Sequence, residues 1–206
     1  MKIRNNDAQA SAVALMLACV TLIIVLAIVS TSYVPVWMKE KENVHMRKAE
    51  ECFTSFKSLI DTQISKNNTT SVSVALTLGC DGIFLFTPGN LGTVNIEPFS
   101  SKLNVVNSTK TLNFTATGNI KFTSQNRYYT RQNFIYEFGS VIIAQTEGQT
   151  IKQFPTLSIK NVSDNIQMGI TLISIYGSNC TATGFGEQAI STKLKALVKE
   201  SYSWSY

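Results

Sequence analysis

The sequence is poor in the side chains from which most catalytic and metal sites are built. It contains one histidine, and only 15% of its 206 residues are charged. Its four cysteines, Cys19, Cys52, Cys80 and Cys180, form no CxxC motif. Nucleophile elbows, phosphate-binding loops and clusters of His, Asp and Glu are also missing from the sequence. We therefore predict that the protein is not an enzyme and that it has no cofactor and no metal site.

Concentrated charge is a second feature that the sequence lacks. Lys and Arg outnumber Asp and Glu by 18 to 13, which gives a formal net charge of +5, but the basic residues are scattered along the chain. Nucleic-acid-binding domains instead gather basic side chains into one patch or stripe. We therefore expect no nucleic-acid partner. The abundant Ser, Thr and Asn residues suit exposed β-strands and loops.

What the chain does have is one long apolar segment near its N-terminus. Residues 8–38 carry no charged side chain, and Thr21 is the only polar residue within 12–29. As a helix rising about 1.5 Å per residue, that core would span about 27 Å, close to the hydrocarbon thickness of a membrane. We predict a retained membrane helix that also packs against other copies. The residues predicted to line this assembly helix are Ala12, Leu15, Leu17, Leu22, Ile24, Leu26 and Ile28.

The flanking charges do not decide the orientation of this segment, because basic residues lie on both sides of it. The large polar region follows the segment, as in a signal anchor whose N-terminus stays in the cytoplasm. The glycan-acceptor pattern N-x-S/T also occurs repeatedly in that region, which supports an extracellular location. The possible N-glycosylation sites are Asn67, Asn68, Asn107, Asn113, Asn161 and Asn179.

A second helical pattern follows Pro35 and is predicted to end near Lys66. Its apolar residues recur every three or four positions, which predicts one buried stripe. The stripe can pack against the protein's own β-domain or, in part, against neighbouring copies. Residues 37–46 have few apolar side chains, so we expect an intersubunit surface there, with His45 exposed to solvent. A kink is expected near Pro35.

From residue 72 onward the pattern changes to alternation, and β-branched and aromatic residues become frequent. Short strands with Gly, Pro and Asn turns predict an antiparallel sandwich or jelly-roll-like barrel, so the fold class is α+β. Gly139-Ser140 is predicted to form a tight hairpin. The alternating residues 190–206 suggest a last strand. The predicted strands before it are 72–78, 83–86, 92–97, 102–106, 111–117, 119–123, 133–138, 141–145, 156–160 and 165–175.

Two cysteines lie beside turns at the ends of β-type runs. Cys80 precedes Asp81-Gly82, and Cys180 follows Gly177-Ser178-Asn179. In an oxidising compartment they could form a disulfide. The alternative is that all four cysteines are free thiols.

Several stretches of the chain resemble a known family. These are the N-terminal Asp7-Ala8-Gln9-Ala10-Ser11 before the apolar helix, Val34-Pro35-Val36-Trp37, Leu76-Thr77-Leu78-Gly79, Gly118-Asn119-Ile120-Lys121-Phe122 and Ile135-Tyr136-Glu137-Phe138-Gly139. In this order and spacing they are similar to archaeal type IV pilin-like surface proteins of methanogens and haloarchaea. The resemblance covers most of the chain. It implies export, an N-terminal helix that bundles with others, and a β-rich head facing outward.

The resemblance divides the chain into a short basic leader (1–7), a hydrophobic helix with its amphipathic extension (8–66) and a β-rich extracellular domain (71–206). The sequence departs from the usual pilin pattern, because no Lys/Arg-Gly pair precedes the apolar run. Candidate processing positions are Asn6, Asp7 and Ala8. Two functions stay open: a structural subunit of a cell-surface filament, or a single-pass surface, adhesion or envelope protein that does not polymerise.

Overall fold

The computed structural model describes residues 3–106, 111–162 and 165–198. The N-terminal part is helical throughout: helix α1 (Ile3–Ile28) passes through a π-helical segment (Val29–Tyr33) into helix α2 (Val34–Ser65). The helix ends where Asn67 adopts a left-handed φ of 47°. Here the Asn68 N–H donates to the Gln63 carbonyl at 2.9 Å. This is the αL termination by which helices commonly satisfy their last carbonyls.

The π-helical segment occupies the position at which the sequence predicted a kink. Pro35 lies in the first turn of α2 and has no N–H to donate to the carbonyl four residues earlier. In the preceding turn the Val34 N–H donates to the Val29 carbonyl, an i to i−5 bond. The wider turn lets the helix pass the proline without interruption, which is a common use of π-bulges.

The β-rich part follows α2. Its described strands are β1 (Val72–Thr77), β2 (Gly92–Val106), β3 (Thr111–Ser124), β4 (Gln132–Glu137), β5 (Ser140–Gln145), β6 (Gly148–Gln153), β7 (Leu157–Val162), β8 (Asn165–Ile170), β9 (Cys180–Gly184) and β10 (Glu187–Thr192). Six of them form one antiparallel sheet in the order β6-β5-β4-β3-β2-β9. The others form two antiparallel pairs, β1-β10 and β7-β8. Gly92, the first residue of β2, lies so close to Leu78, just after β1, that a side chain at position 92 would overlap the Leu78 carbonyl.

The strands differ from the sequence prediction in length. The runs predicted as 92–97 and 102–106 form one strand, β2, with an irregularity between Glu97 and Ser100. Likewise 111–117 and 119–123 form one strand, β3, in which Gly118 has a φ of +92°. A bulge and a glycine each disturb the alternation of side chains without ending the strand, so both features read as strand ends in the sequence.

Other strand predictions were wrong in position. Residues 83–86 form a turn closed by an Ile83–Thr87 bridge. Strands β6 and β9 were not predicted. The hairpin between β4 and β5 turns at Phe138 and Gly139, with φ values of 53° and 81°, rather than at Gly139-Ser140. Two successive positive φ values are typical of a type I′ turn, which matches the twist of the flanking strands. Of the predicted last strand, residues 190–192 belong to β10, 193–198 lie in no strand, and 199–206 lie outside the described residues.

The core lies between α2 and the strands. Phe53 packs against Phe134 with ring centroids 5.9 Å apart, and Phe56 meets Tyr136 edge-on at 5.2 Å. The buried cluster combines residues of the helix and of the sheets: Met46, Ala49, Cys52, Phe53, Phe56, Ile60, Leu76, Leu78, Val94, Ile120, Phe122, Phe134, Tyr136, Val141 and Ile190. The α+β class is therefore confirmed. In the described part of the chain the core joins helix to sheet, so the predicted sandwich or jelly roll is not confirmed.

The buried stripe of α2 begins closer to α1 than the sequence suggested. Met38, Glu42, His45 and Met46 are all buried, although residues 37–46 were expected to form an exposed intersubunit surface. Spacings of three and four residues place these side chains on one face of the helix. That face packs into the head, while Lys39, Glu40 and Val44 on other faces are exposed.

Truncation of Phe56 tests how far the fold depends on the packing of α2 against Tyr136. The Phe56→Ala change leaves a cavity under Tyr136, so we expect the free energy of unfolding to fall by about 3–5 kcal/mol. Chemical unfolding of the full chain in detergent, followed by near-ultraviolet circular dichroism, measures the loss. The control is Val44→Ala, since Val44 lies on the same helix and is 40% exposed. Equal losses in both variants would contradict a core centred on this face.

Candidate functional site

The most extensive exposed apolar surface of the described residues is helix α1. Its large apolar side chains from Val13 to Ile28 are 46–69% exposed, and no residue of the most apolar stretch is buried. Every predicted assembly residue lies on this exposed surface: Ala12, Leu15, Leu17, Leu22, Ile24, Leu26 and Ile28. A contiguous apolar surface of this size marks a membrane or protein contact rather than a water-exposed surface.

Among the described residues, one helix is therefore apolar enough and long enough to span a membrane. The hydroxyl groups of Thr21 and Thr31, the threonines in the uncharged segment 8–38, are satisfied within the helix. Thr21 donates to the Ala18 carbonyl at 2.9 Å, and Thr31 donates to the Ala27 carbonyl at 2.8 Å. Such bonds allow hydroxyl groups to lie in hydrocarbon without an unpaired donor.

A buried carboxylate joins the helix to the head beyond this apolar region. Glu42 is completely buried. Its Oε1 accepts the Arg127 N–H at 3.1 Å, and its Oε2 accepts the Tyr128 and Tyr129 N–H groups at 2.9 and 2.6 Å. The side-chain amide of Asn90 also donates to Oε1. Four donors from two separate loops thus converge on one carboxylate of α2.

The loop that presents these N–H groups is held by its own side chains. Ser124 Oγ donates to Asn126 Oδ1 at 2.6 Å, and Asn126 Nδ2 donates to the Thr130 carbonyl at 3.2 Å. Arg131 Nε donates to the Asn126 carbonyl at 3.3 Å. Successive N–H groups that converge in a turn form an anion-binding concavity. In this protein the anion is the protein's own Glu42.

His45 lies one turn further along α2 and is also buried, so the prediction of a solvent-exposed histidine is wrong. Its Nε2 donates to the Thr77 carbonyl at 2.9 Å, and its ring meets Phe122 edge-on at 6.0 Å. Nδ1 is buried without a hydrogen-bond partner. Burial lowers the pKa of His45, an effect opposed by the Thr77 hydrogen bond, and the neutral ring fits this environment.

The cysteines do not form the disulfide considered for Cys80 and Cys180. Both thiols are free in the structure; Cys80 is buried beside Asp81, whereas Cys180 is exposed in β9. Burial raises the pKa of Cys52 to about 11. Burial, with a smaller contribution from the Glu42 carboxylate, also raises the pKa of Cys80. Both buried thiols therefore resist the ionisation that reactive cysteines need.

The structure describes the side chains of only some of the predicted modification sites. Asn67, Asn68, Asn161 and Asn179 are exposed. Asn113 lies in β3, but its side chain is outside the described set, and Asn107 lies outside the described residues altogether. The processing candidates Asn6, Asp7 and Ala8 lie in α1, and their side chains are likewise outside the described set.

Neither metal ligands nor related proteins point to a function. Within residues 3–106, 111–162 and 165–198, no group of three or more His, Cys, Asp or Glu side chains is placed to hold a metal ion. Comparisons with family models, with curated proteins and with solved structures gave no match. The features that bear on function are therefore the exposed helix α1 and its connection to the head.

Replacement of Glu42 tests this connection. In Glu42→Gln the amide presents only one oxygen to four donors, and a buried donor left without a partner costs about 1–3 kcal/mol. We expect a lower free energy of unfolding and faster hydrogen exchange of the Arg127, Tyr128 and Tyr129 amides. The matched control is Glu40→Gln, because Glu40 is exposed on the same helix. Unchanged amide exchange in Glu42→Gln would contradict the proposed role of the carboxylate.

The buried histidine predicts a dependence of stability on pH. Since burial lowers its pKa below the ordinary value of 6.5, the unfolded chain binds a proton more readily than the folded chain. The histidine contribution to stability is therefore complete above about pH 6.5 and falls as the pH decreases below that value. We expect His45→Gln to remove this slope. Because His45 is the only histidine, NMR titration reads its pKa directly, and a value at or above 6.5 would contradict the prediction.

Proposed function

We propose that the protein is a pilin-like structural subunit of an archaeal cell-surface filament, without catalytic activity. In this proposal α1 is first inserted in the cell membrane with its N-terminus in the cytoplasm, and the head lies outside. Copies then associate through their α1 helices. The observation that carries the proposal is the continuous helix, apolar and exposed over α1 and fixed to the head over α2.

The distribution of exposure supports association through α1. Large apolar residues on all sides of the helix have similar exposed fractions, from 46% at Leu26 to 69% at Met16. The head covers none of them, so another hydrophobic environment must. In lipid, van der Waals packing at small residues drives helices together. Ala10, Ala14 and Ala18 follow one another at intervals of four and supply such a face.

The exposed acceptor asparagines are consistent with an extracellular head. Asn67 and Asn68 lie at the end of α2 farthest from α1, and Asn161 and Asn179 lie in the β-rich part. A glycan at any of these four positions would project into solvent. We therefore include glycosylation of the head in the proposal. We also propose that the two strand pairs outside the six-stranded sheet, β1-β10 and β7-β8, complete a sandwich-like head.

The alternative function is a membrane-anchored surface or adhesion protein that does not polymerise. The charged residues Lys2, Arg4 and Asp7 favour it, because they precede the apolar segment and resist transfer into a filament core if they are retained. N-terminal sequencing of protein from native cells separates the two functions. A start at Asp7 or Ala8 favours a processed filament subunit, and a start at Met1 favours the permanent anchor.

Enlarging the small-residue face tests assembly separately from insertion. In Ala14→Leu/Ala18→Leu the segment stays apolar, so we expect membrane insertion to persist and surface filaments, counted by electron microscopy, to fall about ten-fold or more. Expression must include the export machinery. The matched control is Met16→Leu/Val20→Leu, which alters the opposite face. Normal filament numbers in the first variant would contradict packing through Ala14 and Ala18.

A further inference from the structure

The most exposed large apolar side chains of the described residues belong to a loop of the head. Phe84 is 87% exposed and Leu85 is 86% exposed, more than any large apolar residue of α1. They occupy the tip of the loop between β1 and β2 and are called the loop tip below. Two adjacent apolar side chains held in water require an explanation, because surface loops usually present polar residues there.

The loop tip is a preformed structure. At its base Cys80 and Asn90 exchange backbone hydrogen bonds of 2.9 and 2.8 Å, and nearer the tip Ile83 and Thr87 do the same at 3.0 and 3.1 Å. Leu85 has a φ of +68°, a left-handed conformation that residues with a branched side chain rarely adopt. Strained residues persist where the surrounding structure holds them, and they are frequent at functional sites.

Contacts with α2 show where the loop tip lies along the helix. Strand β1 runs antiparallel to α2: Gln63 donates to Thr70, His45 contacts Thr77, and Lys41 Nζ donates to the Gly82 carbonyl at 2.9 Å. The chain thus moves toward α1 as it approaches residue 82. The chain comes back to the helix at Asn90, whose side-chain amide donates to Glu42. Phe84 and Leu85 lie between these two limbs, in the part of the loop that follows the Lys41 contact at the α1-proximal end of α2.

One to two turns before Lys41 the helix carries residues typical of a membrane interface. Tyr33 and Trp37 are 53% and 49% exposed, with ring centroids 5.8 Å apart. Aromatic side chains of this kind are enriched where hydrocarbon meets the headgroups. Trp37 precedes Lys41 by four residues and therefore lies about 6 Å closer to α1 along the helix axis, at a rise of about 1.5 Å per residue. Gly82, next to the loop tip, therefore contacts the helix about one turn beyond this aromatic pair.

We propose that Phe84 and Leu85 insert into the headgroup region of the membrane that α1 crosses, as a second contact of the protein with lipid. The inference rests on the proposed membrane insertion of α1. Nearby charges balance, with Lys39 and Lys41 against Glu40 and Asp81. Hydrophobic transfer therefore drives the contact, and anionic lipid is not required. This contact holds the head close to the bilayer at a fixed rotation about the helix.

Tryptophan fluorescence of the full chain in phosphatidylcholine vesicles tests the proposal. Phe84→Trp and Phe154→Trp are compared in a background in which Trp37 and Trp204 are replaced by Phe. Phe154 is the matched control, because it is 70% exposed and lines the same open groove as Ser65 and Lys66 at the far end of α2. We expect lipids brominated near the headgroup to quench the Phe84→Trp variant roughly two-fold or more above the control, with an emission shift to shorter wavelength.

Three outcomes would overturn the proposal. Absence of quenching in the Phe84→Trp variant, as in the control, would place the loop tip in water. A shift to shorter wavelength that grows with protein density, without quenching by brominated lipid, would show that a second copy covers the loop tip. Failure of the chain to float with vesicles would overturn membrane insertion of α1 itself, and with it both this proposal and the proposed function. Flotation without quenching overturns only the loop-tip contact.

Discussion

Burial of one face of α2 against the six-stranded sheet is the interaction on which the rest of the structure depends. A sheet needs a second layer to cover its apolar face, and in the described residues that layer is the helix. Phe53 and Phe56 fill the space above Phe134 and Tyr136. Because α1 and α2 are one continuous helix, the same packing fixes the direction in which α1 leaves the head.

The polar contacts of α2 fix the position of the helix along the sheet, which apolar packing alone does not. Hydrophobic contacts are non-directional, so a helix can shift along a sheet with little loss of buried area. A shift by one turn would remove Glu42 from the four donors that it accepts and His45 from the Thr77 carbonyl. Such buried, satisfied networks specify one arrangement. The register between helix and head is therefore set at the end of α2 that is nearest to α1.

The helical part was predictable from the sequence because its signals are local and strong. An apolar run, then a stripe with a period of three to four residues, then Asn67 and Asn68 define where the helix lies and where it ends. The strands were less predictable. β6 was missed because Gly148–Gln153 is largely exposed and polar, so its alternation carries no signal. It is held by pairing with β5 and by the Lys152–Glu50 ion pair of 2.6 Å.

The connection around Glu42 could not be predicted from residue type. Glu and His are usually exposed on helices, so residues 37–46 were interpreted as a solvent-facing or intersubunit surface. Position in the period was the better signal, because Met38, Glu42, His45 and Ala49 continue the stripe of Phe53 and Phe56 without a break. Three of the four donors for Glu42 come from residues more than 80 positions away and the fourth, Asn90, from 48 positions away, so no local pattern reveals them.

The exposure of α1 constrains any model of its surroundings. One neighbouring helix would cover only one side of α1, whereas large apolar residues are exposed on all sides, Leu15, Met16, Leu17 and Ile23 among them. A simple dimer through α1 would leave most of this surface in water. The helix therefore needs either lipid or several copies around it. In the proposed filament, copies would take the place of lipid around α1, and the loop tip at Phe84 and Leu85 would also have to leave the bilayer. Assembly of that kind would require both apolar surfaces to be covered together, which would link the position of the head to the packing of the helices.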